Sequence, residues 1–434
     1  MPKAKPEKPT ISSFTHLIEK KREGNEYSDE EIRTIVDAIL DEEMPEFQQA
    51  AWIMTTFFQG MSAQEIANFT EEMMLSGEVI EMMDVSRPKI EKYSTAGVGD
   101  KTSLVLGPLA AASGVAMPMM NGDDEEFLTS TTEKLKAIPK VNTDIDLDEF
   151  TDQVRKLGCA FAERHEEISP VESILYGLRQ KIGAIPSIPF ITAGTLSRKL
   201  AAGAEGVVVD IKWGKGSFIT NAEDAKQLAR SITRVGRALK RRCVALVTDN
   251  NQPLGSCVGP SLELKEAIDL LKGEGPEDLV ELCCQLGGRL LRLGGIVTDN
   301  QTGYERILSS IDDGSGLRIF EQMVEAQGGS LNSLHNLEIS SKTIEVVADS
   351  ASYVESMNAL SFGNGAMKLG AGRARKEDEV DVTVGLVIHK KVGDFVDFGD
   401  LSNNAEQLAA MSSPVRGVFT MNSLIPQYST SNQI

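Results

Sequence analysis

The chain has 434 residues, with 44 lysines and arginines against 64 aspartates and glutamates, and its formal net charge is −20. Hydrophobic residues make up 41%, which excludes a disordered or collagen-like chain, and the length suggests roughly two to three domains. The acidic excess argues against a nucleic-acid partner, because phosphate backbones are bound by basic surfaces. A site for any other anionic substrate would need local positive charge.

Cysteine content and hydropathy further limit the classes of protein to which the chain can belong. Five scattered cysteines without a C-x-x-C pair predict a reduced, cytoplasmic protein and no disulfide framework. With only four histidines, we expect no structural metal site. The first ten residues lack the apolar run of a signal peptide and are expected to form a flexible tail. No apolar run approaches about 18 residues, so no membrane span or membrane partner is expected.

Residues 11 to 80 are predicted to be helical and to form a packing layer. Ser28–Glu31 is a capping-box sequence, in which the serine hydroxyl and the glutamate carboxylate satisfy amides at a helix start. Ser62–Glu65 repeats this sequence pattern. Apolar residues follow at helical spacing after the first box: Ile32, Ile35, Val36, Ile39 and Leu40.

Beyond residue 90, short apolar runs alternate with amphipathic helical patterns. The runs are Ser103–Leu109, Gly206–Ile211 and Val244–Thr248, and the helical patterns are Glu223–Arg241 and Asp278–Leu293. Such alternation predicts a buried, largely parallel sheet. Ligands of these sheets bind in loops beyond the carboxyl ends of the strands.

A third region begins near residue 340. Asp381–Ile388 alternates with a period of two, and turn sequences follow at Lys391–Asp394 and Phe398–Asp400. This pattern predicts a half-exposed antiparallel unit within a C-terminal α+β domain, with a polar tail from about residue 422.

The most informative segment is KYSTAGVGDKTS, residues 92–103. Its small residues allow close approach of a ligand to the backbone, and their amides can line an anion nest. Lys92 adds charge, and Ser94 and Ser103 add hydroxyl donors. A Walker loop is excluded because Asp100 separates the glycine from the lysine. The spacing alone leaves a phosphate cradle and a plain tight turn as alternatives.

This segment resembles the KHSTGGVGDK motif of the thymidine and pyrimidine-nucleoside phosphorylases. Further motifs of that family recur in order over nearly the whole chain: LYGLR (175–179), IPFITA (188–193), DIKWGKG (210–216), QPLG (252–255), GEGP (273–276) and GRARKED (372–378). The resemblance implies an α/β plus α architecture of three domains, usually in a homodimer. The helical domain would span 1–80 and about 165–190, the α/β phosphate-site domain 81–164 and 191–340, and the C-terminal α+β domain 341–434.

The resemblance also implies an activity. Phosphate would attack the anomeric carbon of a pyrimidine (deoxy)nucleoside in the cleft between the first two domains. The partners would be the nucleoside and phosphate, with phosphate as co-substrate and no cofactor. Such a site must hold a dianion near the sugar and stabilise the charge that grows on the leaving base.

Several residues match the phosphate ligands of the family, and others depart from its base site. The matching positions are Lys92, Ser94, Ser103 and Thr131. Asn121 replaces a serine, and its side-chain amide can still donate a hydrogen bond. Arg179 matches the arginine that donates to a pyrimidine carbonyl, and Arg198 replaces a lysine. Tyr93 replaces a histidine, which exchanges a group that titrates near neutrality for a phenol that ordinarily titrates near 10. Arg179, Arg198 and Tyr93 are the candidate catalytic and base-binding residues.

Two more residues and one segment depart from the family sequence. Gly194 replaces a serine and Gln180 an aspartate in the base site. The segment GDDEEFLTST, residues 122–131, replaces a glycine-rich GRGLGHTGGT run. Its four carboxylates either point outward into solvent or repel a phosphate dianion.

The resemblance also bears on cation binding, and one tryptophan is a candidate for stacking on a base. In some relatives a monovalent cation lies near the phosphate loop, and Glu266 corresponds to one of its ligands. Lys101 falls where those relatives offer a hydroxyl, so an ammonium could replace the ion, and no metal is expected. Trp213 could stack on a base or pack in the core.

Three hypotheses follow for function. The first is phosphorolysis of a pyrimidine nucleoside. The second is a binding or regulatory protein that keeps the phosphorylase fold without catalysis. The third is an enzyme that uses a less anionic second substrate.

Overall fold

The computed structural model describes residues 14–122, 130–346, 348, 351–373, 375 and 378–398, together with the backbone strand at 418–421. The expected N-terminal tail, the acidic segment Asp123–Glu126 and the polar tail after residue 421 lie outside the described residues.

The described elements alternate between helices and short strands. The helices are α1 (Thr15–Arg22), α2 (Asp29–Leu40), α3 (Glu46–Gln59), α4 (Ala63–Leu75), α5 (Thr102–Ala112), α6 (Thr131–Leu135), α7 (Leu147–Leu157), α8 (Pro170–Lys181), α9 (Ile188–Ala201), α10 (Ala222–Ala238), α11 (Pro260–Leu271), α12 (Glu277–Leu293), α13 (Asn300–Asp312), α14 (Ser315–Ala326), α15 (Leu331–His335), α16 (Ala359–Ala366) and a π-helical turn (Met367–Ala371). The strands are β1 (Ile90–Ser94), β2 (Met117–Asn121), β3 (Cys159–Glu163), β4 (Gly206–Trp213), β5 (Arg242–Asp249), β6 (Cys257–Val258), β7 (Thr343–Val346), β8 (Ser352–Tyr353), β9 (Gly385–Ile388), β10 (Phe395–Val396) and β11 (Val418–Met421).

The N-terminal helices form a bundle, as predicted. Both capping boxes are present: the Ser28 and Ser62 hydroxyls accept from the amides of Glu31 and Glu65, whose carboxylates accept from the serine amides in return. Trp52 on α3 is fully buried, with its ring centroid 5.6 Å from that of Phe69. The bundle therefore owes its packing to amphipathic helices whose starts are specified locally.

Helices α8 and α9 join this bundle from later in the chain. Leu175 and Leu178 of α8 lie in the same apolar cluster as the N-terminal helices. Phe190 of α9 also belongs to it, with its ring centroid 5.3 Å from that of Trp52. Helix α9 packs on α4 and also on α10, so it links the bundle to the α/β part of the fold. The exact domain bounds stay a prediction.

The α/β part contains the predicted parallel pairing. Strands β1, β4 and β5 form one sheet in that order, and β2 and β3 form a second pair, all parallel. Val208 of β4 packs on one apolar cluster, while Val207 and Val209 pack on another. Because β4 is covered on both faces, its first half carries the unbroken apolar run Val207–Val209. The predicted strands at 206–211 and 244–248 are confirmed.

The apolar run Ser103–Leu109 was expected to belong to the sheet, and this prediction is wrong. The residues form helix α5, and nine of its eleven residues are buried. A helix that is buried on every side has no polar face and therefore no helical hydrophobic period. A short apolar run of this kind cannot be distinguished from a strand by its pattern.

The C-terminal sheet is mixed, whereas an antiparallel unit was predicted. Strand β9 pairs antiparallel with β6 but parallel with β11, and β11 also pairs parallel with β7. The strand occupies only the last four residues of the predicted Asp381–Ile388 run. The alternation of apolar and polar residues correctly indicates that one face of the strand is buried, and Leu386 and Ile388 lie on that face. It carries no information on strand direction, which depends on the connections between strands.

Two findings bear on the expectations from composition. All five cysteines are free thiols. Within the residues that the structure describes, no helix is both long and apolar enough to cross a bilayer.

Candidate active site

A cleft with about 780 Å³ of empty space opens beyond the carboxyl ends of β1 and β2. One wall comes from β1, the loop that follows it and the starts of α5 and α6. The other wall comes from α8 and α9. Seven of the eight predicted site residues line this cleft: Lys92, Tyr93, Ser94, Ser103, Asn121, Thr131 and Arg198. The position agrees with the rule that ligands of parallel sheets lie outside the carboxyl ends of the strands.

Lys92 is the central cation at the end of the cleft predicted to bind phosphate. Its side chain is 1% exposed, and Nζ lies 3.3 Å from Asp100 Oδ2 and 3.4 Å from Ser103 Oγ. Strand β1 supplies the lysine and the first turn of α5 supplies the serine. The strand–loop–helix connection therefore brings together two residues that are eleven apart in sequence.

Asp100 orders the loop that carries these groups. Its Oδ1 accepts hydrogen bonds from the amide and the hydroxyl of Thr102, at 3.1 and 2.6 Å. Burial would raise the pKa of the Asp100 carboxyl, yet Lys92 and Lys212 together hold this pKa well below its ordinary value. The carboxylate therefore stays ionised and keeps Lys92 in place.

Several backbone amides of the loop after β1 are already hydrogen-bonded within the protein. The amides of Thr95, Val98 and Asp100 donate to Asp210 O, Asn250 Oδ1 and Gly97 O. A Cβ at Gly97 would lie 2.3 Å from Lys212 Cδ, so the glycine is required for this packing. The geometry favours a tight turn that presents side chains, and these three amides do not form an anion nest.

Five cleft residues with polar side chains were not predicted as site residues from the sequence: Asp100, Ser130, Lys134, Tyr176 and Lys199. Lys134 Nζ donates to Asp100 O at 2.6 Å and lies 3.0 Å from Glu263 Oε2. Lys134 lies three residues after Thr131 on α6, so helical spacing could have identified it. Among the described lining residues, four cationic side chains face one carboxylate. Lys134, Lys199 and Arg198 also pair with carboxylates behind the lining, so the cleft presents cationic side chains to an anionic substrate although their charges are largely balanced.

Lys199 and Glu91 form a buried ion pair behind the cleft. Lys199 Nζ also donates to Met120 O at 2.8 Å, close to the end of β2. Burial raises the pKa of the Glu91 carboxyl to about 7, although Lys199 opposes this rise. Burial likewise lowers the pKa of the Lys199 ammonium. The pair fixes α9 against β1 and β2 at the position where the cleft forms.

At the end of the cleft predicted to bind the base, Arg198 and Tyr93 lie close together. The Arg198 guanidinium carbon lies 5.9 Å from the centroid of the Tyr93 ring. Its Nε donates to Gly194 O at 3.3 Å. Tyr176 of α8 also lines this end of the cleft. An aromatic and cationic lining of this kind suits a planar heterocycle.

Arg179 is the predicted residue that does not line the cleft. Its Nε and Nη2 donate to Ala184 O and Ile185 O, at 3.2 and 2.5 Å. Burial lowers the pKa of its guanidinium to about 10. The guanidinium carbon lies 5.9 Å from the ring centroid of Tyr176, which does line the cleft. In this structure Arg179 supports the wall, and its role in base binding stays a prediction.

Lys101 lies where the resemblance implies a monovalent cation. Its ammonium contacts the Glu266 carboxylate and donates to Leu254 O and Cys257 O, at 3.2 and 2.8 Å. Two carbonyls and a carboxylate are the ligand types of a hard cation. The residues present do not fit such an ion, because the ammonium already fills their centre.

Trp213 is part of the apolar packing. It lies partly buried against the same cluster as the helical bundle and does not line the cleft formed by the described residues. Of the two alternatives for this residue, the structure favours core packing.

The fold is that of a glycosyl transferase with a helical bundle and an α/β domain. The glycosyl transferase family model for the helical bundle domain matches residues 15–77, and the model for the a/b domain matches residues 86–317. Anthranilate phosphoribosyltransferase (TrpD) from Thermus thermophilus is similar, with a TM-score of 0.56 and 18% identity. The match covers 71% of this chain and 98% of that one.

More specific matches identify the family. The pyrimidine nucleoside phosphorylase C-terminal domain model matches residues 353–401. The pyrimidine-nucleoside phosphorylase of Geobacillus stearothermophilus is 39% identical over 399 residues, which cover 90% of this chain and 92% of the relative. That of Staphylococcus haemolyticus is 38% identical over 387 residues, which cover 88% and 89%. The chain belongs to the pyrimidine-nucleoside phosphorylase family.

Proposed function

We propose that this protein is a pyrimidine-nucleoside phosphorylase, a pentosyltransferase that converts a pyrimidine (deoxy)nucleoside and phosphate into free base and (deoxy)ribose 1-phosphate. The observation that carries the proposal is the placement of seven predicted site residues around one cleft. Family membership supports the reaction type.

The phosphate end supplies charge and hydroxyl donors. Lys92 would bind the dianion as a buried cation, and Ser94, Ser103 and Thr131 would donate to its oxygens. Asn121 would add an amide donor from the end of β2. Lys134 would contribute further charge from α6. Because Lys92 is buried, its attraction for phosphate is screened little by salt.

The base end would stabilise the leaving group. As the phosphate oxygen forms its bond to the anomeric carbon, the glycosidic bond breaks and its electron pair passes to the pyrimidine. Arg198 would offset the negative charge that develops on the base. Tyr93 would contact the base with its ring and could donate from its hydroxyl. Arg179 would act on the base indirectly. Its guanidinium lies beside the Tyr176 ring and binds the carbonyls of residues 184 and 185.

The competing function is a binding protein that keeps the fold without turnover. Tyr93 and Gly194 favour it, because Tyr93 replaces a histidine that titrates near neutrality and Gly194 removes a hydroxyl that the family has in the base site. A third function is an enzyme that uses a less anionic second substrate in place of phosphate. The acidic segment 123–126 directly follows Gly122, which lines the cleft, and its charge would repel phosphate. The homodimer and the cytoplasmic location are also part of this proposal and rest on family membership alone.

The proposal is tested by incubating the purified full chain with thymidine, uridine or cytidine. Free base should be released from at least one nucleoside when phosphate is present and not when it is absent. Calorimetric titration with the same nucleosides identifies the competing function, since binding without base release would support a binding protein. Base release without phosphate, or with another nucleophile only, would support the third possibility.

A further inference from the structure

A buried carboxylate at the base end of the cleft has no role in the chemistry described above. Glu172 on α8 is 3% exposed and lies among arginines. Its Oε2 is 2.9 Å from Arg164 Nη2 and 3.5 Å from Arg198 Nε. It also counteracts the effect of burial on the pKa of the Arg179 guanidinium. One carboxylate thus offsets the mutual repulsion of three guanidinium groups.

The position of this carboxylate depends on a glycine in the facing helix. A Cβ at Gly194 of α9 would lie 2.8 Å from Glu172 Oε1 and 3.0 Å from its Cγ. The end of a glutamate side chain can move away from such a clash. Here that movement would take the carboxylate away from the arginines. A glycine inside a helix is less favourable than alanine, so a packing requirement of this kind explains its presence.

Packing alone does not hold Arg198 in place. Beside the main cleft lies a smaller cavity with about 220 Å³ of empty space, and Arg198 lines both. Arg164 and Met120 also line the smaller cavity. The Arg198 side chain therefore borders unfilled space in this cavity as well as in the cleft, so close packing does not enclose it. The contacts of its Nε with Gly194 O and the Glu172 carboxylate are among those that hold it, together with the Tyr93 ring.

We infer that Glu172 is a positioning residue that holds Arg198 at the base end of the cleft, and that glycine at position 194 is the space it requires. The inference rests on the proposed function, because Arg198 is taken there as the group that faces the pyrimidine. Glu172 acts on the nucleoside through Arg198 and leaves the phosphate end unaffected.

The test uses Gly194→Ala, Glu172→Asp and the double variant in the full chain. Gly194→Ala should raise KM for the nucleoside about five- to tenfold, equivalent to roughly 1 kcal/mol, with KM for phosphate within about twofold of wild type. Aspartate is one methylene shorter and leaves room for a Cβ. In the Glu172→Asp background, Gly194→Ala should therefore change KM for the nucleoside by less than about twofold.

Gly177→Ala on α8 is the matched control, because a Cβ there meets nothing within 4 Å. It should leave both KM values unchanged. Glu172→Gln keeps the side-chain volume and removes the charge, so it tests the electrostatic role even if Gly194→Ala does not fold. We expect Glu172→Gln to raise KM for the nucleoside and leave KM for phosphate within about twofold.

Two kinetic results would overturn the inference: the effects of the two substitutions multiply in the double variant, or both KM values rise equally. A wild-type protein that neither binds nor cleaves nucleosides would contradict the proposed function instead. In that case crystal structures of the same variants decide the inference. Arg198 should leave its position in Gly194→Ala and return to it in the double variant. An unmoved Arg198 would overturn the inference.

Discussion

The Lys101 ammonium is buried against the Glu266 carboxylate, and this pair joins the loop after β1 to helix α11. The same ammonium donates to the carbonyl oxygens of Leu254, which precedes β6, and Cys257, which begins it. The lysine directly precedes α5, whose first turn carries Ser103. A single buried cation therefore ties the candidate phosphate loop to the segment that enters the C-terminal sheet.

Replacement of Lys101 by methionine should destabilise the protein strongly. Breaking a buried pair by removing one partner typically costs about 3–5 kcal/mol, because the remaining charge is buried without compensation. Urea denaturation of Lys101→Met should show a loss of this size. Lys265→Met is the control, since Lys265 forms an exposed pair with Asp269 on the same helix and should contribute about 0.5 kcal/mol or less. Equal stability of the two variants would contradict the role of Lys101.

The activity of the wild-type protein should not depend on potassium or sodium ions. The Lys101 ammonium already occupies the centre of the carbonyl and carboxylate oxygens that could bind such an ion. Base release measured in a buffer of organic cations should match that measured with added potassium at equal ionic strength. Lys101→Ser leaves the oxygens with space between them, so potassium should partly restore its stability. A strict requirement of the wild type for potassium would show that a metal ion is bound elsewhere or displaces the lysine.

Lys92→Met should weaken phosphate binding far more than nucleoside binding. The lysine is a buried cation 3.4 Å from the Ser103 hydroxyl, and the loss of a charge-assisted contact costs about 1.5–3 kcal/mol. KM for phosphate should therefore rise roughly ten- to hundredfold. Lys226→Met, at an exposed position on α10, is the control and should behave like the wild type. Steady-state kinetics with each substrate varied in turn separate the two effects, and an unchanged KM for phosphate would exclude Lys92 as a ligand.

The buried Glu91 should make stability fall as the pH rises from about 4.5 to 7. Burial raises the pKa of this carboxyl from 4.5 to about 7 in the folded protein. Within that window the folded state holds more protons than the unfolded state, so the free energy of unfolding decreases with pH. Denaturation curves at pH 5, 6 and 7 should show this component in the wild type and lack it in Glu91→Gln. An identical pH dependence in both proteins would mean that Lys199 keeps Glu91 ionised throughout.

Features set by local chemistry could be predicted from the sequence. Both capping boxes of the bundle were recognisable, because serine and glutamate three residues apart satisfy amides at a helix start. The β4 strand was recognisable from its unbroken β-branched run. Helix α5 was mistaken for part of the sheet because its burial removed the polar face that would have revealed its period.

The missing parts of the site depend on contacts between distant segments. Lys199 was overlooked because its partner Glu91 lies 108 residues away, and only the packing of α9 on β1 brings them together. Arg179 was placed by family resemblance at the base, yet the 184–185 loop binds its guanidinium. The role of Glu172 was equally hidden, since it depends on the space at Gly194 in another helix. Sequence motifs identify residues of the site, whereas their orientation depends on the tertiary structure.

The most direct test of the central claim is phosphorus NMR of the purified chain with phosphate and each pyrimidine nucleoside. We expect a (deoxy)ribose 1-phosphate signal to grow as inorganic phosphate falls, in equal amounts with free base, and Lys92→Met to slow this conversion greatly. A correctly folded protein that leaves the phosphate signal unchanged with thymidine, uridine and cytidine would not be a pyrimidine-nucleoside phosphorylase.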